Sequence, residues 1–197
     1  MNRIFNKIRY IKFKIINYII TIIENGYLKL IGVELGSKCS FRGWPSFNLA
    51  NGSKIKIKEN CRFNSRSTSN RIGINHKCML STLDKTATIE IGYGCGFSGV
   101  SIGSFMKIVI GDNVKVGANV LITDCDWHLE DPRVSEPKPV FIGDNVWLGY
   151  GAVVMKGVTI GENSIIGINS VVTKDVPANV VAAGNPCKVI KKIELQN

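Results

Sequence analysis

Histidine is scarce in this chain, whose 197 residues include two, His76 and His128. Imidazole acid–base chemistry at neutral pH must therefore rest on one of them. Aromatic residues make up 8%, and no segment interleaves them with basic residues as a nucleic-acid motif would, so nucleic acid ranks last among partners. The six cysteines (Cys39, Cys61, Cys78, Cys95, Cys125, Cys187) include no C-x-x-C pair. This usage suits reduced thiols, and so a cytoplasmic protein, better than a disulfide framework. Long apolar runs are missing as well. The segment IINYIITII is too short to cross a bilayer, and no small-residue cleavage site follows it before Glu24 and Asn25.

What the chain does have is a six-residue beat, unbroken from Ile142 to Pro177: IGDNVW, LGYGAV, VMKGVT, IGENSI, IGINSV, VTKDVP. Each hexad opens on an aliphatic residue (Ile142, Leu148, Val154, Ile160, Ile166, Val172) and carries a small or β-branched residue at its fifth position. Such a period predicts a parallel β-solenoid in which three hexads make one triangular coil. Like residues then stack every eighteen positions, placing Ile142 under Ile160 and Leu148 under Ile166. Corners need Gly or Asn, which accounts for Asn145, Gly151, Gly157, Asn163 and Asn169.

One more full coil reads IGDNVK, VGANVL, ITDCDW from Ile110 to Trp127. Its IGDNV returns 32 residues later, and since a coil uses 18, the other 14 must leave the solenoid as a loop from about Asp126 to Pro139. That loop, DWHLEDPRVSEPKP, is polar and carries three prolines, and a long projecting loop is more often functional than decorative. Looser hexads occur at IGYGCG and FSGVSI (91–102), LGSKCS and FRGWPS from Leu35, and IKENCR and FNSRST from Ile57. The expected organisation is an N-terminal segment (1–32), a solenoid domain (33–177) and a C-terminal extension (178–197) ending in a short strand or helix.

The net charge of +10 is concentrated near the ends, with Arg3, Lys7, Arg9, Lys12 and Lys14 in one and Lys188, Lys191 and Lys192 in the other. Such a surplus suits an anionic partner. In the N-terminal segment, Ile4, Ile8, Ile11, Ile15, Ile19 and Ile22 fall at three- and four-residue spacing and predict a helix. Two readings of its apolar stripe stand. It packs on the solenoid or on a partner subunit, which is the expectation, or it lies on an anionic membrane as a basic interfacial helix.

His128 opens the projecting loop in the run TDCDWH, with Asp124 and Asp126 close by, whereas His76 lies in the basic stretch RIGINHK. An imidazole held near an acid can act as a general base. From Ile89 to Ile193 the motifs GFSGVSI, IGDNVKVGANVLITDCDWH, KPVFIGDNVWLGYGAVVMKGVTIGENSIIG and VVTKDVPANVVAAGNPCKVIKKI resemble the hexapeptide-repeat acyltransferases. The likeness is to the branch holding the maltose and galactoside O-acetyltransferases and the sugar acetyltransferases of capsule and lipopolysaccharide clusters. That resemblance implies an all-β, left-handed parallel β-helix and transfer of an acetyl group from acetyl-CoA to a hydroxyl. It implies His128 as the base, Asp126 or Asp124 as the acid orienting it, and Trp147 lining the acyl and pantetheine channel. A backbone N–H near Gly149 or Tyr150 would serve the oxyanion. Tyr150 and Ile168 would offer main-chain contacts to CoA, with Thr173 and Lys174 at its nucleotide end. Lys188 and Lys191 fall where the relatives carry Arg, and lysine lacks the guanidinium's planar, bidentate reach. Ile168 replaces a smaller residue, and Ser98 stands where the galactoside and maltose enzymes place an acceptor-contacting Asn. The resemblance further implies a homotrimer with the site between subunits and no metal, the carbonic anhydrases of this fold needing three histidine ligands.

The leading expectation is an O-acetyltransferase for a sugar of a surface polysaccharide or its lipid-linked precursor, cytoplasmic or peripheral at the inner membrane face. The alternatives are an N-acyltransferase for an amino sugar and a non-catalytic β-solenoid used for binding or assembly.

Overall fold

The computed structural model describes residues 2–194, with side chains from residue 5 onward. Met1, residues 195–197 and the side chains of Asn2, Arg3 and Ile4 lie outside that description. Corners fall at the fourth position of the regular hexads. Asn113, Asn145 and Asn163 hold φ values of 58, 57 and 58° there, a left-handed conformation that asparagine tolerates. The last two continue as a side-chain ladder to Asn179, Asn145 Nδ2 donating to Asn163 Oδ1 at 3.2 Å and Asn163 Nδ2 to Asn179 Oδ1 at 2.9 Å. At the fifth position Cys39, Cys61, Cys95, Val114, Val146 and Ser164 are all buried. Those three thiols are thus small core side chains in the column that valine and serine continue.

Three parallel sheets follow from this beat. The first runs through Glu34–Leu35, Lys54–Ile57, Thr88–Ile91, Lys107–Ile110, Val140–Ile142 and Thr159–Ile160; the third starts at Ser46–Leu49 and ends at Val171–Val172. The second has eight strands. It runs from Ser40–Arg42 through Gly96–Ser98, Lys115–Ala118 and Trp147–Leu148 to Val180–Ala183, and ends on an antiparallel strand, Lys188–Lys192. Ile142 pairs with Ile160 and Leu148 with Ile166, which is the eighteen-residue register read from the sequence. Ile110 pairs with Ile142, so the residues between Thr123 and Val140 do leave the stack as a loop. The stack also continues past residue 177, because Val180–Ala183 pairs with Ile165–Ile166. In the early coils the inward ladder is aromatic. Phe41, Phe63 and Phe97 stack with centroids 5.3 and 4.9 Å apart.

A second excursion, residues 65–78, separates Arg62–Asn64 from Met79–Thr82, where the sequence suggested only irregular hexads. The helix α1 (Asn2–Leu30) closes the open end of the stack, but not with its isoleucine stripe. Ile20, Glu24 and Leu28 are buried against the first coil, while Ile8, Ile11, Ile15, Ile19 and Ile22 are exposed. The reason lies in what it covers. The first strand of a sheet presents unpaired backbone groups, and here Thr21 Oγ1 accepts the Phe41 N–H at 3.0 Å and donates to Phe41 O at 3.3 Å, while Asn25 Nδ2 reaches Cys39 O at 3.4 Å. A packing face with these polar duties cannot be purely apolar. Among the described residues no helix is long and apolar enough to cross a membrane.

Candidate active site

The projecting loop is fastened at both limbs by the side chains around His128. Asp124 is fully buried, and its carboxylate accepts the N–H groups of Phe105 and Met106 at 2.7 and 2.9 Å and the Ser104 hydroxyl at 2.7 Å. Its carbonyl accepts the Lys138 N–H at 2.8 Å, closing the neck. Asp126 pairs with Lys156 Nζ, which also donates to Ser135 O at 2.7 Å. Trp127 holds a φ of 71° and lays its indole on Gly103, where an added Cβ would meet the ring at 2.5 Å. It also meets Phe105 edge-on at 6.0 Å. With its neighbours so committed, His128 stands outward, its side chain 78% exposed.

The acid beside the imidazole is Glu130, whose Oε1 lies 3.2 Å from His128 Nδ1. Asp124 and Asp126 flank the histidine in sequence, yet their carboxylates are turned to the loop's anchoring. Glu130's own backbone N–H and the imidazole hold its carboxyl below the usual range, so it stays ionised at neutral pH. An ionised acceptor on Nδ1 fixes the proton there and leaves Nε2 as the basic nitrogen. Glu130 and Lys156 are therefore functional candidates that reading the sequence missed. The only signal for Glu130 is its place two residues past the histidine. His76 is occupied locally, with Nδ1 2.9 Å from Lys77 O in the 65–78 excursion.

Ser98 and Trp147 come together in a cleft of about 320 Å³ on the second sheet, beside Asn64, Arg62 and Lys115. Ser98 Oγ accepts from Asn64 Nδ2 and Asn70 Nδ2, both at 3.0 Å. Both amides escaped the sequence reading, because Asn70 arrives from the excursion. Within the single chain, His128 does not line this cleft.

Along the same sheet, backbones pass in close contact. An added Cβ on Gly117 would lie 2.7 Å from Leu148 O, and one on Gly149 would lie 2.7 Å from the Ile168 nitrogen. Gly149 donates its N–H to Ile166 O at 2.8 Å and Tyr150 O accepts from Asn169 at 2.8 Å. Of the two alternatives for the oxyanion donor, the Gly149 N–H is thereby committed within the sheet, which leaves that of Tyr150. Ile168, Thr173 and Lys174 are exposed at the turns beyond. Lys188 and Lys191 are exposed on the terminal antiparallel strand, opposite Ala183 and Val181. Among the described residues no group of three His, Cys, Asp or Glu converges as a metal site would.

Comparison with known proteins gives these positions a context. Residues 139–174 match the family model "Bacterial transferase hexapeptide (six repeats)" and residues 107–124 match "Hexapeptide repeat of succinyl-transferase". A Staphylococcus aureus (strain COL) protein, an acetyltransferase by name, is 45% identical over 151 residues, covering 61% of this chain and 76% of that one. The galactoside O-acetyltransferase of Escherichia coli K12 is 50% identical over 90 residues, 44% of each chain. The chain thus spans a little under half the length of that relative. Among solved structures, AntD, an N-acyltransferase from Bacillus cereus in complex with dTDP-4-amino-4,6-dideoxyglucose and coenzyme A, superposes with a TM-score of 0.59 at 15% identity. The match covers 87% of this chain and 90% of that one. This likeness concerns the fold alone.

Proposed function

The chain belongs to the hexapeptide-repeat acetyltransferase family, and from that premise we propose that it moves an acetyl group from acetyl-CoA to a hydroxyl of a saccharide acceptor, with His128 as general base. The carrying observation is the loop itself. Asp124, Asp126 and Trp127 are all committed to holding it, and the exposed imidazole has an ionised carboxylate on Nδ1. Nε2 takes the hydroxyl proton as the acceptor oxygen attacks the thioester carbonyl. The Tyr150 N–H donates to the tetrahedral oxyanion. Collapse breaks the C–S bond, and the departing thiolate takes the proton back from the imidazolium.

Acetyl-CoA lies along the second sheet in this reading, with Trp147 beside the acyl arm, Tyr150 and Ile168 at the pantetheine, and Thr173, Lys174, Lys188 and Lys191 toward the nucleotide. The acceptor sits by Ser98, Asn64 and Asn70, where hydroxyls meet paired polar groups. The acceptor class we favour is a sugar of a surface polysaccharide or its lipid-linked precursor. Since His128 and the cleft are apart within one chain, a homotrimer that brings one subunit's loop over a neighbour's cleft completes the site.

Turnover and CoA dissociation of two variants test the base. His128→Ala should lower kcat by roughly 100- to 10,000-fold with little change in CoA affinity, because the lost interaction belongs to the transition state. His76→Ala should be close to silent. Near-normal turnover in the His128 variant removes the assignment.

A further inference from the structure

We propose that the outward face of α1 is a docking surface for an anionic lipid bilayer, with the helix lying flat in the headgroup region. The stripe Ile8, Ile11, Ile15, Ile19, Ile22 is a continuous apolar face, each side chain 46–57% exposed. It is not the face that closes the solenoid. Ile20 is buried in the core and Ile22, two residues on and so about 160° around the axis, points away from it. Attachment to the first coil is complete without the stripe. Thr21 and Asn25 hold the strand edge, and Arg66 adds a 2.6 Å bond to Asn17 Oδ1 and stacks on the Phe13 ring at 4.9 Å. The stripe thus faces outward, away from the contacts that hold the helix to the solenoid.

Charge selects the occupant. Glu24 is the first acidic residue in the sequence, while Lys7, Arg9, Lys12 and Lys14 all precede it and are exposed. At about 100° per residue, Lys12 falls on one side of the stripe and Lys7 and Lys14 on the other. Long cationic side chains there reach lipid phosphates while their stems lie along the isoleucines. The exposed Tyr18 borders the stripe, with the amphipathic ring favoured at a headgroup boundary. A second copy of the same helix would bring these cations against themselves, since a two-fold interface sets like surfaces together. An anionic bilayer satisfies the apolar stripe and the charge at once, and nothing in the surface depends on chemistry at His128.

Cosedimentation of the full chain with phosphatidylcholine vesicles, with and without phosphatidylglycerol, is the test. Binding should require phosphatidylglycerol and weaken as salt is raised. Ile11→Asp with Ile15→Asp, and separately Lys7→Glu with Lys12→Glu and Lys14→Glu, should each reduce it on the order of tenfold or more. Both variants should keep the parent's thermal unfolding, because none of these side chains enters the core. Should the aspartate pair fail to fold, the charge-reversed variant and an Ile15→Trp probe, whose emission shifts blue on anionic vesicles, carry the test. A chain that stays in the supernatant with either vesicle overturns the proposal, as does an assembly larger than the trimer that the aspartate pair disperses, which would assign the face to a further copy of the chain.

Discussion

Replacing Glu24 by Gln should stabilise the protein at alkaline pH and leave it unchanged in acid. Glu24 sits on the face of α1 that packs on the first coil, 4% exposed, and its Oε2 has no hydrogen-bond partner among the described residues. Burial raises its carboxyl from 4.5 to about 7, against a smaller opposing pull from Lys77. A carboxyl whose folded pKa exceeds its unfolded value binds more protons when folded, so stability falls as pH climbs from about 4.5 to 7 and stays low above that window. At ~1.4 kcal/mol per pH unit the full loss is about 3 kcal/mol. The amide keeps the shape without the charge, so the variant should be more stable by up to that amount at pH 8 and equal near pH 4. Urea unfolding at a fixed protein concentration, on both proteins from pH 4 to 8, reads the difference directly. Two stability curves that run parallel across that range would refute the buried-carboxylate reasoning.

How legible each part was depends on what its residues had to do. From Ile142 to Val171 three constraints coincide every six residues: an aliphatic facing in, a corner residue at positive φ, and a small fifth side chain. The period is therefore plain in composition. In the first coils the same column is filled by Cys39, Cys61 and Cys95, the inward ladder is phenylalanine, and an excursion interrupts the count, so the beat blurs although the strands pair in register. The stripe in α1 was visible, but its direction was not, because packing fell to a mixed face whose Thr21 and Asn25 serve a strand edge. At the site the loop, and the place of His128 in it, followed from arithmetic on the repeat. The acid did not, since nearness in sequence cannot tell a carboxylate that caps backbone N–H groups from one that faces the ring.

Truncating Ile160 or Ile166, each fully buried between coils, to Ala should cost ~2–5 kcal/mol, and thermal melts indifferent to both would contradict the packing. Lys156→Met should loosen the projecting loop without touching the solenoid. Lys156 lies in the turn between Val153–Val154 and Thr159–Ile160, and its side chain, 13% exposed, ties Asp126 on the outgoing limb to Ser135 O farther along through the ammonium. Methionine keeps most of the stem but releases both limbs and leaves the Asp126 carboxylate without its cation. Since misplacement of a base by about 1 Å costs on the order of 100-fold in rate, kcat should fall by roughly ten- to a hundredfold while CoA affinity holds. Proteases should also cut the loop faster, and Lys156→Arg, which can still reach Asp126, should recover part of the rate. A methionine variant with parental kcat and parental protease resistance would show that Asp124 and Trp127 alone hold His128 in place.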